Sequence, residues 1–523
     1  MPEHFDVIVI GSGAGGGTLT HALAPTGKRI LLLERGGYLP REAQNWDPKS
    51  IWADGRYRNS GEWRDAGTGK DFTPKQHYYV GGNTKVYGAI LFRFRERDFD
   101  EIRHVDGVSP AWPLAYDDFA PWYDRAEELY TVHGERGTDP TEPPAAGPYP
   151  YPMISHEPRI EKLRADLEGA GLKPFPLPVG IMLDEARPEK SPCIRCATCD
   201  GFPCLVNAKA DAQVVCVEPA LAYPNVEMRT HTRVMRLETD ASGRTISRVV
   251  ADRGGVTEEY TADVVVLSAG AINSAALLLS SANEQHPDGL ANSSGQVGRN
   301  LMLHNNSSLI AISKEPNPTL FQKTLGINDF YFAGDGWDYP LGAMQMLGRS
   351  DPVTMGFDVP DAPDPAALAA HSLDFWLTTE DLPRPENRVT LGADGRINLS
   401  YTPTNLEAHQ RLRDKFVSLL DTMGCEQQVH ERNTYAGGRL GIAGVAHQNG
   451  TCRFGTDPAT SVLDLDCRTH DVDNLYVADA SFFVSSTAVN PTLTIIANAL
   501  RVANRIAARL GVSTEAGAKA GVA

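Results

Sequence analysis

The chain has 523 residues, more than a single hydrophobic core usually serves, so two domains are expected. Its formal charge of −17 excludes a reader of nucleic acid, whose phosphates need basic contacts, and disfavours anionic membrane surfaces; a small neutral substrate fits better. No apolar run reaches membrane-spanning length and the first strand pattern starts near residue 6, which leaves no room for a signal peptide, so a cytoplasmic protein with its eight cysteines mostly reduced is expected.

Asp6 to Ile10 (DVIVI) is a short apolar run suited to a buried parallel strand, and GSGAGGGTLTHALA follows as a tight turn into a helix. In that context Gly11 permits the turn, Gly13 lets the backbone approach a pyrophosphate, and Gly16 allows close packing of helix on strand. The next strand, KRILLL, ends in Glu34, which suits the hydroxyl pair of a ribose and disfavours a 2′-phosphate. The unit predicts a dinucleotide site without deciding between FAD and NAD. In HYYVGGNTKVYG, Gly82 marks close backbone approach, while Asn83 and Thr84 offer hydrogen bonds to a flat polar ring. The aromatic-rich stretch 111–130 predicts an amphipathic helix pair, and the Pro-rich stretch 138–155 a connection between domains.

Cys193, Cys196, Cys199 and Cys204 are spaced C-x2-C-x2-C-x4-C, close to an iron–sulfur ligand run and also compatible with zinc. The last gap is one residue longer than in the bacterial ferredoxin run and no second cluster exists, so free thiols, with or without one disulfide, are the alternative and no metal site is assigned. NVEMRTHTRVMRLETD and SRVVADRG alternate as a hairpin, and ADVVVLSAG reads as a buried strand that ends at Gly270 and feeds the helical INSAALLLSS. Residues 307–440 mix strand and Pro-rich loop, with a hairpin around Asp394-Gly395, and carry no nucleotide-type glycines, so they read as substrate-binding. Near the end stand HQNGTCRFG, the strand-like NLYVADAS and VNPTLTIIANALRVANRI. Asn490 is placed as N-cap and Pro491 at the first helical position of a last helix, whose Leu493, Ile496, Ala497, Leu500, Ala503 and Ile506 recur at helical spacing. Such a helix points free N–H groups and partial positive charge at an anion in front of it. A loose tail completes the chain.

Taken in order, GSGAGGG with Glu34, GGNTKVYG, SAGAINSAALLLSS, VGRNLMLH, HQNGTCRFG and VADASFFVSSTAVNPTLTIIANAL resemble the glucose–methanol–choline (GMC) oxidoreductases over nearly the whole chain. Within that family WPLAYDDFAPWYDRAE, CATCDGFPCLVNAKAD and AVNPTLT are most similar to pyranose oxidases and bacterial glycoside 3-oxidases. The resemblance implies an α/β fold: a Rossmann-like FAD-binding domain at 1–98, 186–306 and 441–512, and a discontinuous α+β substrate domain on an antiparallel sheet at 99–185 and 307–440, with 513–523 as tail. It implies FAD, held without a covalent bond because Val86 stands where fungal pyranose oxidases carry the attaching His. Asp479 and Ala480 are placed by resemblance near the pyrophosphate and ribityl chain, and Val234 beside the adenine. A monomer or small homo-oligomer is expected, with a sugar or glycoside as substrate and O2 or another acceptor for the electrons.

His447 and Asn490 look like the family's catalytic pair. Oxidising a secondary alcohol removes a proton from oxygen and a hydride from carbon, so a base and the flavin must converge on one C–OH group. His447, with an unperturbed pKa of about 6.5, is the base, and Asn490 orients the hydroxyl. N–H groups near Pro491 and Thr492 stabilise charge gathering on the flavin. The expected reaction takes C3 or C2 of a pyranose or glycoside to the ketone and reduces O2 to H2O2. The alternative is a dehydrogenase that passes electrons to a quinone or protein, through a cluster on the cysteine run.

Overall fold

Two sheets carry the fold in the computed structural model, which describes residues 2–334, 336–432, 442 and 446–515. The first has fully buried apolar runs at its centre: residues 7–10, Ile30–Leu33, residues 264–267 and Leu475–Val477. Its strands lie in the order Val226–Arg229, Ile30–Leu33, Glu3–Ile10, Val256–Leu267, Ile246–Arg253 and Thr232–Thr239, with Leu475–Val477 beside the end of Val256–Leu267. Val226–Arg229, Ile30–Leu33, Glu3–Ile10, Val256–Leu267 and Leu475–Val477 run parallel, while Ile246–Arg253 and Thr232–Thr239 add an antiparallel hairpin; the parallel register sets Ile10 level with both Leu33 and Leu267, and Leu267 level with Val477. The residues that follow, Gly11, Glu34, Ser268 and Ala478, therefore emerge along one sheet edge. Ligands of open α/β sheets bind at such carboxyl ends.

The second sheet is antiparallel, in the order Cys425–Glu431, Asn305–Ser313, Ser372–Thr379, Ala343–Met346, Leu325–Ile327 and Phe175–Pro176. Side chains alternate across it, as the pleat requires. Leu309, Ala311, Met344, Phe375 and Leu377 face one way and form a core with Leu163 and Leu167 of helix Pro158–Gly169 and Leu412 and Phe416 of helix Leu406–Ser418. Asn306, Ser308, Gln345, Trp376 and Thr378 take the opposite face, because Ser308 pairs with Trp376, Trp376 with Gln345, and Asn306 with Thr378. That face looks toward the first sheet. No helix among the described residues is long and apolar enough to cross a membrane.

Four expectations are corrected. The stretch 111–130 holds one helix, Tyr116–Leu129, not two; Pro121 sits inside it, and Phe119, Trp122, Tyr123 and Ala126 still form one buried stripe. NVEMR does not belong to the hairpin: Val226–Arg229 pairs parallel with Ile30–Leu33, the chain turns at His231 (φ +54°), and Thr232–Thr239 pairs with Ile246–Arg253. The buried strand expected from residue 262 starts at Val256, its first half closing the hairpin sheet and its second half entering the parallel core. The last helix spans Thr492–Arg509 with Pro491, not Asn490, as its N-cap; the Pro491 carbonyl accepts the Ile495 N–H at 3.1 Å, so helical bonding begins one residue later than the Asn-Pro pattern implies. Of the expected tail, residues 516–523 lie outside the described residues, as does the expected domain boundary between 440 and 441.

Candidate active site

One cavity of about 770 Å³ runs between the two sheets. Its nucleotide end is shaped by glycine backbone. Gly11 has φ +101°, and a Cβ there would stand 2.3 Å from the Ser268 carbonyl oxygen. At Gly13 a Cβ would meet nothing within 4 Å, because that position opens into the cavity. Gly16 does not line the cavity; a Cβ there would stand 1.9 Å from the Gly11 carbonyl oxygen, so its task is packing within the turn. Sequence reasoning passed over Gly15, whose Cβ would come within 1.7 Å of the Ala478 carbonyl oxygen. That missing atom lets helix Ala14–Leu23 start against the end of strand Leu475–Val477.

Every other cofactor-binding residue expected from the sequence lines this cavity: Glu34, Gly82, Asn83, Thr84, Val234, Gly270, Asp479, Ala480, Pro491 and Thr492. Glu34 accepts from the Ser12 hydroxyl at 2.6 Å and N–H at 3.1 Å, and from the Gly36 N–H at 2.9 Å, so its carboxylate is fixed at the strand end. Asn83 and Thr84 instead serve their own loop. The Asn83 carbonyl oxygen accepts the His77 N–H at 2.8 Å, and the Thr84 hydroxyl donates to the Gly81 carbonyl and accepts the Ala212 N–H at 3.0 Å. Asp479 accepts the N–H groups of Gly270 and Ser481, each at 2.9 Å, and the Ser274 hydroxyl, which joins the last strand to the start of helix Ala271–Ser280. Burial raises its pKa. Val86 lines the cavity and offers no nucleophile.

At the other end stand His447 and Asn490. Burial, and then the neighbouring His304, pull the His447 pKa down to about 3; burial pulls His304 down to about 4. Both imidazoles are therefore neutral across the ordinary working range. His447 Nδ1 lies 2.9 Å from His304 Nδ1, while its Nε2 has no hydrogen-bond partner among the described residues. Since Pro491 begins the helix, the Asn490 amide is not used as a cap and likewise has no partner among the described residues. Trp376, with its ring centroid 6.4 Å from that of His447, forms an adjoining wall. Next to it on the sheet face, Gln345 lines the cavity with its buried amide oxygen unpaired. An unpaired imidazole nitrogen and two unpaired amides around an aromatic wall can hold and deprotonate a polyhydroxylated ring.

Sequence reasoning did not find Trp376, Gln345 or the partnership of His304 with His447. VGRNLMLH contained His304, but nothing local says which residue it meets. The cysteine run resolves differently from its spacing. Cys193, Cys196, Cys199 and Cys204 are all free, burial pushes the Cys193 thiol up to about 12, and no three His, Cys, Asp or Glu side chains among the described residues are grouped to hold a metal ion.

The cradle fits a dinucleotide. Gly13 leaves room beside the N–H groups that open helix Ala14–Leu23, where a pyrophosphate gains from the helix dipole, and Glu34 stands at the neighbouring strand end. Comparison with known proteins agrees with this geometry. Residues 5–306 and 383–499 match the two models described as GMC oxidoreductase. The chain is 32% identical to 6'''-hydroxyparomomycin C oxidase of Streptomyces lividus, over 98% of this chain and 93% of that protein. It is 32% identical to paromamine 6'-oxidase of Streptomyces fradiae, over 97% and 92%. Among solved structures, an Aspergillus oryzae formate oxidase studied for its FAD modification shares the fold, with a TM-score of 0.68 at 16% identity, over 97% of this chain and 98% of that one.

Proposed function

The chain belongs to the GMC oxidoreductase family, with FAD as its cofactor, and from that premise we propose that it oxidises a secondary hydroxyl, C3 or C2, of a pyranose or glycoside to the ketone. Bound along the cavity, FAD supplies the acceptor for the two electrons that leave the substrate carbon as hydride. His447 Nε2 takes the hydroxyl proton. Asn490 holds the hydroxyl oxygen in line during that transfer, which is an orientation effect and does not require a titrating group. The N–H groups at the start of helix Thr492–Arg509 stabilise negative charge that gathers at that end of the cavity. Trp376 gives the C–H face of a sugar ring an apolar wall, and Gln345 gives its hydroxyls a donor and an acceptor. Over the whole reaction one C–OH becomes C=O while O2 takes two electrons and two protons to leave as H2O2.

The observation that carries this reading is the unpaired Nε2 of a neutral, half-buried His447 beside the unpaired amide of Asn490. The relatives' names supply the sugar-like substrate, and one of them names a 6'-position. The test is anaerobic mixing of the yellow protein with pyranoses, simple glycosides and paromamine, followed by air. Bleaching by a pyranoside, a keto product at C3 or C2, and H2O2 after air are expected. Bleaching by none of the panel overturns sugar oxidation, and an aldehyde at C6 overturns the secondary-hydroxyl assignment.

A further inference from the structure

We infer that His304 is a positioning residue that fixes the tautomer of His447, holding the proton on Nδ1 so that the lone pair sits on Nε2 in the cavity. The inference rests on the reading of His447 as the base. A backbone carbonyl can only accept a hydrogen bond. The Ser486 carbonyl oxygen lies 2.9 Å from His304 Nε2, so that nitrogen carries the hydrogen. A neutral imidazole has one N–H, which leaves His304 Nδ1 as an acceptor. His447 Nδ1, 2.9 Å away, must then be the donor. The remaining nitrogen of His447 is left unprotonated at the cavity, as a base requires.

The relay is anchored at its far end. Asp381 accepts the Leu303 N–H at 2.9 Å, next to His304 in the chain; its backbone N–H donates to the Ser486 hydroxyl at 3.1 Å, and that hydroxyl donates back to the Asp381 carbonyl at 2.9 Å. One residue therefore holds both His304 and the segment that supplies its acceptor. His304 is buried and does not line the cavity, so it acts through His447 without touching substrate. The two rings meet edge to face, at 78°, which allows one in-plane nitrogen of each to share the hydrogen and prevents stacking.

The test pairs two substitutions with a readout that needs no substrate. In His304→Leu no acceptor faces His447 Nδ1, so the tautomer with the proton on Nε2 becomes favoured. In His304→Asn the amide oxygen takes the place of Nδ1 and the acceptor is kept. Nitrogen NMR of histidine-labelled holoprotein is expected to show His447 protonated on Nδ1 in the native chain and in His304→Asn, and on Nε2 in His304→Leu. In anaerobic stopped flow, His304→Leu is expected to lower the limiting rate of flavin bleaching roughly 100-fold or more, the scale on which a wrong tautomer disables a base, with little change in the substrate dissociation constant. His304→Asn is expected within about tenfold of the native rate, which is less than one step of general-base catalysis contributes. A native His447 protonated on Nε2, or equal losses in the Leu and Asn variants, overturns the inference. If His447→Ala leaves bleaching unchanged, the base assignment fails instead, and the NMR result still decides whether His304 sets the tautomer.

Discussion

A histidine that serves as a base must be unprotonated when it works, and the site secures this for His447 by burial. With its pKa pulled down to about 3, and that of His304 to about 4, the base form persists from alkaline pH to well below the ordinary imidazole value of about 6.5. The sign is fixed: raising pH above 5 gains no further base form, and only a fall toward the depressed value removes it. The limiting rate of flavin bleaching is therefore expected to stay level between about pH 5 and pH 8. An acid limb centred near 6.5 in stopped-flow profiles would mean that His447 meets water freely. His447→Ala is expected to lower the same rate by roughly 100- to 10,000-fold, the usual range for a general base, with FAD still bound; an unchanged rate ends the assignment.

Among the elements, the turn from strand Glu3–Ile10 into helix Ala14–Leu23 separates what a ligand demands from what packing demands. At Gly13, φ is −71°, which any residue adopts, and an added Cβ meets no protein atom, so Gly13→Ala is expected to fold as the native chain does and weaken FAD tenfold or more by filling the ligand's space. At Gly15 the added Cβ would overlap the Ala478 carbonyl, so Gly15→Ala is expected to push the helix off the strand and lower both the melting temperature of the FAD-free protein and its FAD content. Equilibrium FAD titration with thermal melts of each FAD-free variant separates the two; equal melting losses would refute the distinction. The same element shows what was legible beforehand. Gly11, Gly13 and Glu34 could be read because strand, turn and helix are contiguous and each constraint is local. Gln345, Trp376 and Asn306 share a face only through the register of an antiparallel sheet that joins residues far apart in sequence. The one-residue error at Asn490 has a different cause. Asn before Pro is a good local cap, but in the fold the Pro491 carbonyl opens the helix and the amide is left for the cavity, so function departs from the local preference where the site needs a polar group.

On the scale of the molecule, the cavity wall draws on distant parts of the chain: Gly11 to Gly15 and Glu34 from the first turn and strand end, Gly82 to Thr84 from the loop, Val234, Gln345 and Trp376 from the two sheets, Gly270 from a helix start, and His447, Asp479 and Asn490 to Thr492 from the last segment. Such a wall has apolar and polar groups facing one another across about 770 Å³ that protein atoms do not fill. A ligand lying along it makes contacts to both sheets at once and binds the folded chain but not the unfolded one, in which these segments are separated. Linkage then sets the size of the effect: free FAD at about 100 times its dissociation constant adds about 2.7 kcal/mol, and each further tenfold adds about 1.4 kcal/mol. FAD-free protein is therefore expected to melt at a lower temperature than holoprotein, to regain stability in proportion to the logarithm of added FAD, and to become more sensitive to protease in segments of both sheets together. Calorimetry across a range of FAD concentrations, with limited proteolysis read by mass spectrometry, checks this. Protection confined to the nucleotide end, with strands Asn305–Ser313 and Ser372–Thr379 cut equally with and without FAD, would show that the second sheet stands without the cofactor and that the cavity does not couple the two.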